Sequence, residues 1–143
     1  MALRIKRPDT AFSLDTSRKS QGGRLVDGKH LAFVRSLVCL ATGSEKSIEA
    51  AHVRYADPAY SKPGTPLARK PDDRWTVPLC AEAHRTGNDS QHSMKERDFW
   101  QRLGIDPLAV AEALWQRTGD RDAGLQIIAD ARARIAPWKK GSV

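Results

Sequence analysis

Cysteine is almost missing from this sequence: 143 residues hold two, Cys39 and Cys80. With no secretory signature beside them, a disulfide framework is excluded, and metal binding, redox chemistry or simple burial stay open. Aromatic residues are few, at 6%. Long apolar runs are lacking as well. Leu37 to Ala41, and Ile105 to Leu114 with its interrupting Asp106 and Glu112, fall far short of the roughly 20 residues that span a bilayer, so no membrane partner is expected. Arg4, Lys6 and Arg7 are not followed by an apolar segment of signal-peptide length, which predicts a cytosolic protein. There is no internal repeat. With 40% apolar residues in 143, the chain can bury one modest core, and a large multidomain enzyme is excluded.

What the sequence has in excess is positive charge. Lys and Arg number 24 against 17 Asp and Glu, a formal net charge of +7. Polyanions are the partner class this favours, although a surplus kept for solubility reads the same way. Residues 1–27 carry Arg4, Lys6, Arg7, Arg18, Lys19 and Arg24 and show no sustained period of 3.6 or 2. They are expected to form a mostly unstructured arm, either laid along a phosphate backbone or simply solvated.

From Lys29 onward Leu31, Phe33, Val34, Leu37 and Val38 recur at helical spacing and predict a short amphipathic helix. Gly43, Pro58, Pro63, Gly64, Pro66 and Pro71 then leave room for one strand around residues 48–55. A second strand fits residues 74–79, provided that Pro78 sits where no ladder hydrogen bond is needed. The last fifty residues read as three helices. Ser93 and Glu96 suggest a capping box for the first, Asp106 and Pro107 start the second, and Asp120 caps the third, with Gly104, Gly119 and Pro137 as stops. The expectation is an α+β fold in which a hairpin runs into a helix, with a domain over 28–136 and a tail over 137–143.

Four histidines punctuate this frame. His30 opens the first helix and stands apart. His52 lies on the first strand of the hairpin, and His84 and His92 follow the second. Imidazole accepts a proton near neutrality and ligates divalent metals, so this order suits a base and two ligands acting on one phosphodiester. His84 and His92 are eight residues apart, which on an unbroken helix means about 80° around the axis and about 12 Å of rise. Gly87-Asn88-Asp89 is expected to form a loop that returns His92 to His84.

The segments HLAFVRSLVC, EAAHVRYADP, RKPDDRWTVPLC and QHSMKERDFWQRLGIDPLAVAEALW, which together run from about His30 to Trp115, resemble the HNH endonucleases. The likeness is to the phage-associated branch similar to the recombination-enhancement nuclease. The resemblance implies a ββα-metal core that grips one divalent ion, Mg, Mn or Zn. It also implies that His52 is the general base and that His84 and His92 hold the ion. Many such nucleases also carry a structural zinc held by two pairs of ligands. Here Thr42 and Ala83 stand where the partners of Cys39 and Cys80 would be, so a tightly held zinc is not expected and the two thiols should be packed neighbours, a vestigial zinc site. Ala51 occupies the place of a metal ligand before the base. The customary asparagine is missing, which leaves Asp73, Arg74 or a backbone carbonyl to orient His52, with Asp73 the better functional residue.

Arg54, Lys62, Arg69, Lys70, Arg74 and Arg85 cluster in sequence around this site and are read as phosphate contacts, or as solvated surface. Trp75, Phe99, Trp100 and Trp115 read as core. The function expected is a divalent-metal-dependent endonuclease cutting DNA in a phage or bacterial recombination context, inside the bacterial cytoplasm. A recombinase filament or another DNA-processing protein is its expected partner. The alternative is a nuclease-derived DNA-binding module that has lost catalysis. A third reading is a protein-binding accessory factor whose basic surface is incidental.

Overall fold

The computed structural model describes residues 18–21, 24–65 and 70–134, and within them the chain is a mixed α+β protein. The expected arm contains structure at its C-terminal end. Arg18–Gln21 (β1) and Arg24–Asp27 (β2) pair as an antiparallel hairpin, so the expectation of an unstructured segment fails over these residues. Residues 1–17 and the expected tail lie outside the described residues. The failure has a physical reason. β2 is held less by apolar alternation than by hydrogen bonds to a distant loop, where Leu25 N–H donates to Asp72 and Leu25 O accepts from Asp73 N–H.

Asp27 ends β2 and caps the next helix, α1 (Gly28–Arg35), accepting from His30 N–H at 3.0 Å. Phe33 and Val34 turn inward from α1 onto the second hairpin, formed by β3 (Ile48–His52) and β4 (Thr76–Cys80). Every residue of β4 is buried, whereas in β3 Ala51 alone is fully buried. Pro78 lies opposite Ala50, and its carbonyl points away from β3 to accept Leu40 N–H at 2.8 Å. In an antiparallel pair a residue's N and O face the same side, so the missing N–H of Pro78 leaves no gap in the ladder.

Beyond β4 come a π-helical turn, Glu82–Thr86, and a 3-10 turn, Gln91–Ser93. Three helices follow: α2 (Glu96–Leu103), α3 (Pro107–Trp115) and α4 (Arg121–Ala133). Asp106 accepts from Leu108 and Ala109 N–H and Asp120 from Ala123 N–H, as their positions predict. Gly104 closes α2 in the left-handed region, at φ 69°. The capping box does not form. Ser93 Oγ turns to the carbonyls of Asn88 and Ser90, and the Glu96 carboxylate is taken by Arg54 N–H. The core is contributed by α1 and the segment after it, the β3–β4 hairpin and the three C-terminal helices: Val34, Leu37 and Leu40, then Ala51, Val53, Val77 and Leu79, then Phe99, Trp100, Leu103, Leu108, Leu114 and Ile128. α4 comes so close to α1 and the residues after it that a Cβ on Gly124 would meet Phe33 Cζ at 2.9 Å and Leu37 Cδ2 at 2.8 Å. Trp75, Phe99 and Trp100 are buried in this core, so they are packing residues rather than surfaces for stacking bases.

Candidate active site

His52 is the last residue of β3, and the strand's exit is fixed immediately after it. Val53 N–H donates to Trp75 O, and Arg54 N–H donates to both carboxylate oxygens of Glu96, at 3.0 and 3.2 Å. The His52 side chain is 17% exposed, and its Nε2 lies 2.9 Å from Oδ1 of Asp73, which has no exposure. Burial pushes the Asp73 carboxyl up, but the His52 bond, the Asp27 N–H on Oδ2 and the Arg24 charge outweigh it and hold the group below the usual carboxylate range. An ionised carboxylate only accepts, so His52 Nε2 is the donor in this bond and Nδ1 is the ring nitrogen turned away from Asp73. Asp73 thus supplies the orientation expected of it.

Arg24 was not among the expected site residues. Its Nη2 donates to the same Oδ1 at 2.6 Å, and its Nε donates to Pro71 O at 2.8 Å. No sequence signal short of the β2 pairing could have brought a residue from the basic arm to this place.

A second constellation occupies the other end of the hairpin. Gly87 to Asp89 do form the expected return loop, and the His84 and His92 rings meet edge to face with centroids 4.5 Å apart. His84 Nδ1 is 2.8 Å from Glu49 Oε1. Arg85 clasps the same carboxylate through Nε and Nη2, and these bonds, opposed by burial and helped by His84 and the Arg85 charge, lower the Glu49 pKa to about 2. The ionised Glu49 therefore accepts Nδ1–H of His84, and Nε2 is the ring nitrogen left for a ligand. This is the carboxylate-to-imidazole support that orients metal-binding histidines. Burial first, and then the neighbouring His84, depress the His92 pKa, which favours the neutral ring that a metal requires. Glu49 is the residue that sequence reading missed here. Its place in EAAH, three residues before His52, was the available signal.

The two constellations do not meet. Among the described residues His52 has no hydrogen bond, ion pair or ring contact with His84 or His92, and no three His, Cys, Asp or Glu side chains converge as a metal-holding group. Strand alternation explains the separation: Glu49 and Ala51 share one face of β3, and His52 projects from the other. Ala51 brings no metal-ligating atom to the face that it shares with Glu49.

The residues expected to contact phosphate are placed differently from one another. Lys62 is 3% exposed, and its ammonium donates to the carbonyls of Tyr55 at 2.7 Å and Arg54 at 3.2 Å, so it braces the long loop between β3 and β4 from inside. Burial lowers its pKa. Arg74 pairs with Glu112 and lies over the Trp75 ring, and Arg85 is engaged by Glu49. Arg54 and Lys70 are exposed, and Arg69 lies outside the described residues.

Cys39 and Cys80 are free, buried thiols that share Thr42: Thr42 N–H points to Cys39 Sγ at 3.4 Å, and Oγ1 lies 3.7 Å from Cys80 Sγ. Burial, with Cys39 alongside, pushes the Cys80 thiol pKa up. Thr42 and Ala83 line one cavity of 380 Å³. Two sulfurs and a hydroxyl fall short of the four ligands of a closed tetrahedral zinc, so the donor set does not fit that ion. His84 is turned to Glu49 instead. His30, set apart in the sequence, is buried against Trp115 and Phe33, with Nδ1 2.8 Å from Thr118 Oγ1. It belongs to the core. No family model, curated protein or solved structure matches this chain.

Proposed function

We propose that this protein is a divalent-metal-dependent endonuclease that hydrolyses DNA phosphodiester bonds, with His52 as general base. The observation that carries the reading is the His52–Asp73 pair: a buried, ionised carboxylate fixes one ring nitrogen as donor and leaves the other, on a side chain that reaches solvent, as a proton acceptor. His84 and His92, supported by Glu49, would hold the ion, with waters completing its shell. The ion would supply Lewis-acid stabilisation of the developing charge on the phosphate. Exposed Arg54 and Lys70 fit backbone contacts, and the +7 charge fits a nucleic-acid partner. Residues 1–17, the recombination context, a recombinase partner and a place in the bacterial cytoplasm belong to the same reading through the resemblance to HNH nucleases.

The second reading, a DNA-binding module without catalysis, has Ala51 and the separation of the two constellations on its side. Supercoiled plasmid incubated with the protein and Mg, Mn or Zn separates the two. Metal-dependent nicking that disappears in His52→Ala supports the enzyme. Binding without cutting under every metal supports the module.

A further inference from the structure

The bonds around Asp73 imply a role for a residue outside the histidine set. We infer that Arg24, carried by the N-terminal hairpin, is a positioning residue: by neutralising Asp73 it leaves the His52 ring uncharged, with Nδ1 open to take a proton. The catalytic consequence rests on the nuclease reading, whereas the geometry does not.

Asp73 Oδ1 receives two donors, Arg24 Nη2 at 2.6 Å and His52 Nε2 at 2.9 Å, while Oδ2 receives Asp27 N–H at 2.9 Å. A carboxylate with no solvent exposure demands a cation, and two groups touch it that could serve. If His52 supplied the charge, it would be an imidazolium in a static ion pair, already protonated and useless as a base. Arg24 removes that demand, because a guanidinium is charged at every working pH. Its Nε bond to Pro71 O fixes the fork so that Nη2 is aimed at Oδ1.

The other acidic groups make the competition sharper. From β2, Asp27 directs Oδ1 to His30 N–H, and from the loop before β4, Asp72 directs Oδ1 to Leu25 N–H. Asp27, Asp72 and Asp73 thus gather carboxylates at this place, and Arg24 is a permanent cation bonded directly to Asp73. The strap from Arg24 to Asp27 makes two further backbone ties to this loop, through Leu25 N–H and Leu25 O, so its register against Asp73 is fixed. Without Arg24, the His52 ring is the group in contact with Asp73 that can take up the missing charge.

The test reads the ring nitrogens directly, by long-range proton–nitrogen NMR on histidine-labelled full-length protein at about pH 7. Wild type should show His52 neutral, with its hydrogen on Nε2. Arg24→Gln should show both nitrogens protonated, and Arg24→Lys, which keeps the charge, should resemble wild type. Thermal melting by circular dichroism checks that each variant folds. An Arg24→Gln spectrum identical to wild type, or an imidazolium at His52 in wild type itself, overturns the inference, and the second result needs no variant to fold. In nicking assays Arg24→Gln should lower kcat at neutral pH by about tenfold or more with KM for DNA unchanged, and should recover in alkaline buffer, where the ring loses its proton. Wild type that cuts no DNA under any metal would sink the nuclease reading and leave the ring-nitrogen result to stand or fall alone.

Discussion

The two ends of the β3–β4 hairpin are built to different standards. At the His52 end the key carboxylate is fully buried, and three donors from two strands, β2 and β3, converge on it. At the Glu49 end the carboxylate is partly exposed, its strongest partner is the solvent-exposed Arg85, and His92 arrives on a loop. The first end is pre-organised and can hold a proton acceptor in one tautomer without help. The second has two imidazoles and one supporting carboxylate, a donor set that needs water or substrate to complete it. On the nuclease reading proposed above, the buried pair would hold the base and the looser pair of imidazoles would take up the ion.

The largest effect should come from breaking the buried end. Asp73→Ala takes the carboxylate from part-buried Arg24 and the acceptor from the buried Asp27 N–H, and should lower unfolding free energy by about 3–5 kcal/mol, read from denaturant melts. A loss no larger than that of an ordinary surface substitution would show that the pair is not the anchor described here. The same carboxyl makes stability depend on pH. Its folded pKa lies below the unfolded value, so the contribution is present above the unfolded pKa, about 3.9, and is lost as pH falls through the folded one. Asp73→Asn should accordingly flatten acid unfolding in that window. Glu49, lowered to about 2 from 4.5, should lose its contribution between these values, but as a partly exposed, screened group it should show a weaker slope.

Lys62 sharpens the contrast between support and contact. Lys62→Ala strands the carbonyls of Arg54 and Tyr55 and should destabilise by about 1–3 kcal/mol while leaving the salt dependence of DNA binding unchanged. A shallower salt slope in a fully folded variant would return Lys62 to the phosphate contacts. At the exposed end, Glu49→Ala should weaken divalent-ion affinity by about 10–100-fold, because His84 loses the acceptor that fixes its ring. Unchanged affinity, measured calorimetrically, would mean that Glu49 serves Arg85 alone. The smallest effect should be Arg54→Ala, which removes about one phosphate contact and reduces the salt slope by about 1.

Local signals in the sequence were read correctly where the chain acts locally. Asp106 and Asp120 cap the helices that they precede, Gly104 turns left-handed where α2 stops, and Pro78 sits at a strand position that needs no N–H. The return of His92 to His84 was also legible, because Gly87-Asn88-Asp89 could not extend a helix. What escaped depends on partners far along the chain. Ser93 and Glu96 have the spacing of a capping box, yet Glu96 is claimed by a backbone N–H 42 residues away. Arg24 and Asp73 are 49 residues apart, and nothing in the polar segment around Arg24 announces the pairing. Lys62 looks like surface because lysine ordinarily is, and its burial follows from carbonyls that the loop's own path turns inward.

The division of labour between the two ends is tested most directly by titrating a divalent ion into His52→Ala, His84→Ala and His92→Ala while following plasmid nicking by each. His52→Ala should bind the ion like wild type and cut nothing, whereas His84→Ala and His92→Ala should lose ion affinity and cutting together. Equal loss of ion affinity in all three would make His52 a ligand and contradict the separation of base from metal site.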